Sequence, residues 1–352
     1  MSEFIPQGRS IAVARLLGYS GFRGPFSLVP LSGGKNNQVF QVDLADRTLV
    51  LKAYFQHPGD PRDRLGADYA FSTFAWSHGI RCLPQPLACD PENRLALYEF
   101  IPGRKLNPGE VTAARVNEAI SFYRQLNALR GEKEAAKLPN GSEACFRLAD
   151  HLQCLSRRSE RLQRMEPSTA IDREAAAFIA REFSPLCQTV LNELTERAQA
   201  HGLSLSAELP ASDRCLSPSD FGFHNALLTP SGQMTFLDFE YSGWDDPAKT
   251  VCDFFCQPEL PAPLSAFDEF SRSVSAGLSE SDRQRQRFKL LLPVYQLKWC
   301  CIILNDFLPA GNQRRQFAGN EESETERKSK QLAKARQALA SVAEAFETRI
   351  AA

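Results

Sequence analysis

Ser217-Pro218-Ser219-Asp220-Phe221-Gly222-Phe223-His224-Asn225-Ala226-Leu227-Leu228, a turn at Thr229–Gly232, then Met234-Thr235-Phe236-Leu237-Asp238-Phe239-Glu240 is the stretch on which the fold turns. The short apolar runs 226–228 and 234–237 flank the turn and predict a β-hairpin. A hairpin brings its two ends side by side. Asn225 then stands at one end and Asp238 at the other, with Asp220 five residues before Asn225. Phosphoryl transfer needs that set. One carboxylate orients and deprotonates a hydroxyl, while a carboxylate and an amide oxygen hold Mg²⁺ on nucleotide phosphates. Any one of the three residues alone reads as a turn or cap residue; the ordered set favours chemistry. His224 is read as a hydrogen-bonding spacer rather than a catalytic group.

Upstream, Lys52 lies within Leu49-Val50-Leu51-Lys52-Ala53. A lysine in mid-strand must find a partner or a ligand for its charge. The alternation puts Val50, Lys52 and Tyr54 on one face and Leu51 and Ala53 on the other. The functional reading is a clamp on nucleotide phosphates; the structural alternative is a snorkelling edge-strand lysine. Asp68, in a helix predicted over 63–78 and stopped by Gly79, is the candidate ion-pair partner. The turn Ser32-Gly33-Gly34 precedes this strand and lets backbone N–H groups approach phosphates. It is not a Walker A loop. The strand ending Tyr98-Glu99-Phe100-Ile101 is placed to pair its backbone with an adenine.

These residues together resemble the aminoglycoside phosphotransferase and choline kinase superfamily, small-molecule relatives of the protein kinases. Leu31-Ser32-Gly33-Gly34-Lys35-Asn36-Asn37-Gln38-Val39-Phe40 looks like its nucleotide loop, and Leu51-Lys52 like its phosphate-binding lysine. Asp220 to Asn225 looks like its catalytic loop. Leu237-Asp238-Phe239-Glu240-Tyr241-Ser242-Gly243-Trp244 resembles its metal-binding segment, with Asp246-Pro247 and Asp253-Phe254 following in family order. The likeness spans roughly residues 26–310. It implies an α+β, bilobal, protein-kinase-like fold: a small β-rich N-terminal lobe over 1–101 and a larger, mostly helical lobe over 102–352. It implies an ATP-dependent kinase acting on a hydroxyl of a small metabolite such as a sugar, amino alcohol or related polyol. ATP and Mg²⁺ are its cofactors. Ser32, Gly33, Gly34, Asn37, Lys52, Asp68, Glu99 and Ile101 serve the nucleotide, Asn225 and Asp238 the metal, and Asp220 the acceptor. Choline or ethanolamine kinase and an aminoglycoside-modifying kinase are the narrower alternatives. A catalytically silent kinase-like binding protein is the alternative of another class.

Two positions depart from the family pattern. Pro218 stands where the family usually has His, so altered support of the catalytic loop is expected. Asp68 stands where Glu is usual, one methylene shorter, so a longer ion pair to Lys52, or one formed only on lobe closure, is expected. Around the metal segment, Glu240, Asp245, Asp246 and Asp253 would make an acidic acceptor pocket if two or more line it. Capping or bracing is the expectation for Asp246 and Asp253.

The rest of the chain is consistent with this reading. It has 352 residues, 41 Lys+Arg against 42 Asp+Glu, and a net charge of -1, which lacks the global basicity of a nucleic-acid binder. The ten cysteines form no CxxC pair and the five histidines no HxxxH pair, so a zinc site is not expected. Reduced, packed thiols in a cytoplasmic chain are expected. The apolar runs at 290–292 and 300–304 are interrupted by Lys298 and Asp306, so no membrane span is expected. Long helices are predicted over 172–199, 282–306 and 321–348.

Overall fold

The computed structural model describes residues 7–31, 37–56, 60–309 and 323–351. The N-terminal part is a five-stranded antiparallel sheet. Its strands are β1 (Ser27–Leu31), β2 (Gln38–Asp43), β3 (Thr48–Ala53), β4 (Pro86–Asp90) and β5 (Leu95–Glu99), in the order β1-β2-β3-β5-β4. Strand β3 is central, with Lys52 opposite Val39 on one side and Ala96 on the other. The alternation of β3 divides its faces as the sequence predicts. Leu49, Leu51 and Ala53 pack with Val42, Leu97 and helix α1 (Gln7–Tyr19), while Tyr54 joins Ala96, Tyr98 and Val50 on the other face. Pro30 sits in β1, an edge strand, where a missing N–H costs no ladder bond.

Helix α2 (Arg64–Ser77) is capped by Asp63, whose side chain accepts from Gly66 N. It ends before Gly79, whose φ of 87° suits glycine. One side of α2 meets the sheet through Leu65 and Tyr69. The other side, Phe71, Phe74 and Ala75, belongs to the core of the larger part. This helix therefore ties the sheet to the helical part of the chain.

Beyond Glu99 the chain is mostly helical: α3 (Ala113–Ala128), α4 (Leu148–Gln163), α5 (Ala170–Phe178), α6 (Ser184–Ala200), α7 (Pro247–Cys256), α8 (Phe267–Ser275), α9 (Ser281–Ile303) and α10 (Glu324–Ala351). A capping box at Asn107–Glu110 closes a single 3₁₀ turn, and α3 starts after Thr112. A π turn at Ile179–Phe183 joins α5 to α6. Within this part lie two short antiparallel pairs. Strand β6 (Cys215–Ser217) pairs with β9 (Gly243–Asp245), and β7 (Ala226–Leu228) with β8 (Met234–Phe236). The second pair is the predicted hairpin.

Helix α9 corrects one expectation. The stretch Ser281–Phe307 is long and apolar enough to cross a membrane, with a mean hydropathy of 1.2. Lys298 and Asp306 stand within that stretch, Lys298 paired with Asp253 and Asp306 with Arg327. Its apolar window is 72% buried inside the protein, so that surface is spent on the protein's own core. All ten cysteines are free thiols, and Cys252, Cys300 and Cys301 are core residues of α7 and α9.

A phenylalanine cluster carries the site. Phe122 of α3 stacks on Phe236 of β8 at 4.9 Å. Phe221 packs against Phe236 at 5.3 Å and Phe254 at 5.1 Å, and Phe223 meets Phe254 at 5.3 Å. Phe221 and Phe223 are the apolar residues between Asp220 and Asn225. Burying each contributes about 1.5–3 kcal/mol. Those anchors fix the polar residues of the loop in the opposite direction.

Candidate active site

Lys52 Nζ lies 2.7 Å from Asp68 Oδ2 and also pairs with Asp238 Oδ1. The lysine side chain is only 11% exposed. Burial pulls its pKa down, but Asp238, Asp68 and Glu240 outweigh burial and hold it well above its ordinary value. The ammonium is therefore fixed as a cation. The shorter Asp68 reaches Lys52 directly, contrary to the expectation of a longer or closure-dependent pair. Two more donors hold its carboxylate in place: Tyr54 Oη at 2.8 Å and Phe239 N at 3.3 Å.

Asn37 is buried at 3% exposure, and its side-chain amide is spent within the protein. Its Nδ2 donates to Glu240 Oε2 at 2.6 Å, and its Oδ1 accepts from Phe55 N at 3.0 Å. Glu240 also receives Arg64 Nη1 at 3.2 Å, and Arg64 in turn bonds Asp60 at 2.9 Å. Asn37 is thus a strut between the strand after the glycine turn and the segment carrying Asp238, not a side chain facing phosphates. Ser32, Gly33 and Gly34 lie outside the described residues. Glu99 N is committed to Gln85 O at 2.9 Å, whereas Ile101 has no backbone hydrogen bond among the described residues. Of the adenine-facing pair, Ile101 is the position with a free edge.

Asp220, 30% exposed, is approached by His224 Nε2 at 3.2 Å and by Asn225 Nδ2, which donates to Asp220 O at 3.0 Å and lies 3.4 Å from its Oδ2. Burial pushes the Asp220 pKa up, but His224 and the hydrogen bonds from His224 and Asn225 prevail and lower it. The group is an anion. His224 is a hydrogen-bonding residue, as expected, and its target is the candidate base itself. A Cβ on Gly222 would lie 2.9 Å from His224 Nδ1, so glycine there lets the ring pack closely. Sequence reasoning gave no sign of Lys105, whose Nζ bonds His224 O at 2.5 Å.

The loop around Pro218 is held by Ser217 and Asn127. Ser217 Oγ accepts Ser219 N at 3.0 Å and Thr250 Oγ1 at 2.8 Å. Asn127 brackets Leu216, accepting its N–H at 2.9 Å and donating to its carbonyl at 3.0 Å. Left-handed backbone occurs at Asp238, with φ 68°, and at Ser219, the residue before Asp220, with φ 67°. Non-glycine residues in this region cost of order 1–3 kcal/mol and persist only where packing determines them.

The hairpin does bring Asn225 and Asp238 together, since Leu237 N donates to Asn225 O at 2.8 Å. Asn225 donates through Nδ2, and Asp238 meets Lys52 through Oδ1. The amide oxygen of Asn225 and Oδ2 of Asp238 have no partner among the described residues. A carboxylate oxygen and an amide oxygen left open at one place suit a hard cation.

A cavity of about 240 Å³ opens at Asp220, walled by α4, α7, α9, α10 and the loop before α4. The conditional acidic pocket fails here, because of the four acidic residues weighed only Asp253 lines it. Glu240 is the strut described above. Asp245 is locked to Lys249 and accepts Cys145 N at 3.1 Å. Asp246 caps α7 through Ala248 N at 2.7 Å and pairs with Arg287 and His151.

Residues 27–277 match the model of the phosphotransferase enzyme family, so the chain belongs to that family. Its fold is the protein-kinase-like fold of small-molecule kinases. An ethanolamine kinase of Plasmodium vivax aligns over 95% of this chain and 90% of its own at 13% identity, with a TM-score of 0.58. A choline kinase of Cryptosporidium parvum aligns over 94% and 96% at 13% identity and 0.54. A choline/ethanolamine kinase family protein of Mesorhizobium loti aligns over 94% and 99% at 20% identity and 0.53. No curated protein matches the chain significantly. The protein is a small-molecule kinase by class.

Proposed function

We propose that this phosphotransferase moves the γ-phosphoryl group of ATP to a hydroxyl of a small acceptor seated against Asp220. The observation that carries the reading is the division of labour among three carboxylates. Asp68 is saturated by Lys52, Tyr54 and the Phe239 N–H. Asp238 meets Lys52 with one oxygen and leaves the other open. Asp220 faces the cavity. Lys52 positions the phosphates and Asp68 orients Lys52. Asn225 and Asp238 would hold Mg²⁺, which supplies charge neutralisation on the phosphates when bound.

Asp220 accepts the acceptor's proton as its oxygen bonds to the γ-phosphorus and the bond from that phosphorus to the ADP oxygen breaks. His224 holds the Asp220 carboxylate in that pose. Ile101 offers its backbone edge to the base. The silent-binder alternative rested on Pro218 and Asp68. Both departures have local compensation, in Ser217 with Thr250 and in the direct Lys52 pair.

The test separates base from metal ligand. Asp220→Asn is expected to bind Mg·ATP nearly normally and lose roughly 10²–10⁴-fold in turnover. Asp238→Asn is expected to weaken magnesium-dependent nucleotide binding itself. Titration of ATP with and without magnesium, alongside ADP release, distinguishes them. An Asp220→Asn protein as active as wild type refutes the assignment.

A further inference from the structure

Several carboxylates that wall the acceptor cavity are already engaged by cations of the chain itself. An amine acceptor needs a carboxylate with an oxygen to spare, and a quaternary ammonium needs an open aromatic face. A carboxylate with an oxygen to spare is scarce here, although Trp299 stands in the wall together with Glu259 and Asp306, the last paired with Arg327. Both oxygens of Asp253 receive Lys298 Nζ at 2.9 Å, and Oδ1 also receives Trp299 Nε1 at 2.8 Å. Glu143 is paired with Arg158. Asp220 is committed to the reacting hydroxyl in the phosphotransferase reading. The Tyr241 ring already carries two guanidinium groups, those of Arg62 and Arg64, each 5.2 Å from its centroid.

Charged side chains of both signs line the same cavity, and two of the cations keep donors to spare. Lys334 of α10 lines it and has no ion-pair or hydrogen-bond partner among the described residues. Arg62 binds Asp60 through Nε and Nη2, leaving Nη1 uncommitted. We propose that the acceptor carries an anionic group beside its hydroxyl, a hydroxy acid or sugar acid, with Lys334 and Arg62 as the residues that select it. The inference rests on the phosphotransferase reading for the position of the reacting hydroxyl. It differs from the choline and ethanolamine acceptors named for the structural neighbours, and it reverses the acidic pocket expected from sequence.

The experiment uses matched acceptors with the full-length enzyme: gluconate against glucose, glycerate against glycerol, and choline and ethanolamine as cations. Binding is measured in the presence of magnesium and a non-hydrolysable ATP analogue, and kcat/KM by ADP release. The acid is expected to exceed its neutral partner by roughly tenfold or more, the effect of one charge-assisted hydrogen bond. Lys334→Met and Arg62→Gln, with melting temperature as the folding check, are each expected to shrink that ratio. A best acceptor that is neutral or cationic overturns the inference. So does failure of every acid to bind at roughly millimolar concentration, or a ratio unmoved in both variants. Wild-type protein that binds no Mg·ATP overturns the phosphotransferase assignment instead, so the two failures are distinguishable.

Discussion

Replacing Lys298 by Met tests how the floor of the acceptor cavity is held. The ammonium sits 2.9 Å from both oxygens of Asp253, and the two side chains are 8% and 6% exposed. Met keeps the length and apolar stem of lysine, so packing changes little and the main loss is the charge. A buried carboxylate is then left with Trp299 Nε1 as its remaining donor. Breaking a buried pair from one side costs about 3–5 kcal/mol. At about 2 °C per kcal/mol for a large domain, the melting temperature falls by roughly 6–10 °C. Removing both charges, in Lys298→Met with Asp253→Asn, is expected to recover most of that loss, with a coupling energy of about 2–3 kcal/mol in the double-mutant cycle. The pair also predicts an alkaline component. Burial pulls the Lys298 pKa down, Asp253 overcomes it, and the net shift is upward from 10.5. A raised lysine contributes stability that is fully present below its unfolded value and fades as pH rises through the folded value. The Met variant therefore loses stability at neutral pH and shows less further loss above pH 10.5. Urea denaturation at several pH values measures both. A single variant within about 1 kcal/mol of wild type, or a double variant no better than the single, refutes the argument.

Three other outcomes follow from local geometry. Gly243 has φ +149°, and a Cβ there would overlap the carbonyl oxygen of Pro139, so Gly243→Ala is expected to cost about 2–5 kcal/mol in urea melts from strain and overpacking combined. The Glu143 carboxyl is pushed up by burial but brought down from 4.5 to about 2 by Arg158; its contribution is present above pH 4.5 and lost as pH falls toward 2, so Glu143→Gln should flatten the acid limb of the stability curve in that window. Lys52→Ala and Lys52→Arg are both expected to weaken nucleotide affinity in direct titration, since a planar fork does not reproduce a compact ammonium, and wild-type affinity in both would remove Lys52 from the site.

Much of this fold was legible because its signals are local. The alternation around Lys52, the Thr229–Gly232 turn and the Gly79 stop each depend on a few neighbouring residues, and each appears where the pattern places it. Strand β4 was missed because Pro86-Leu87-Ala88-Cys89-Asp90 has neither clean alternation nor a β-branched residue; its pairing with β5 comes from tertiary context. Helices α4 and α8 have no such local signal for a related reason: each is short or rich in charged and small residues, and long-range packing stabilises it. At the site, Lys52, Asp220, Asn225 and Asp238 were readable by type and order. Asn37 and Glu240 were misjudged because their partners are each other, 203 residues apart, and no local pattern encodes that contact. Lys105 likewise acquires its place only through the backbone of His224.

The surroundings explain which carboxylates are left to react. Near the cleft, Asp60 and Glu240 are occupied by Arg64, Asp245 by Lys249, Asp246 by Arg287 and Asp253 by Lys298. Buried pairs of this kind add little net stability over apolar residues of similar volume, so energy alone does not account for five of them in this part of the fold. Their effect is on competition. A free carboxylate beside the acceptor hydroxyl or the phosphates would compete for the same proton or the same cation. With those neighbours neutralised, Asp220 and the outer oxygen of Asp238 are left without a lysine or arginine partner among the described residues. The left-handed backbone at Ser219 and Asp238 turns the loop and the metal segment out of regular strand geometry beside these two side chains. In the proposed reaction the chemistry is thereby confined to two positions, by pairing around them and by backbone geometry at or beside them.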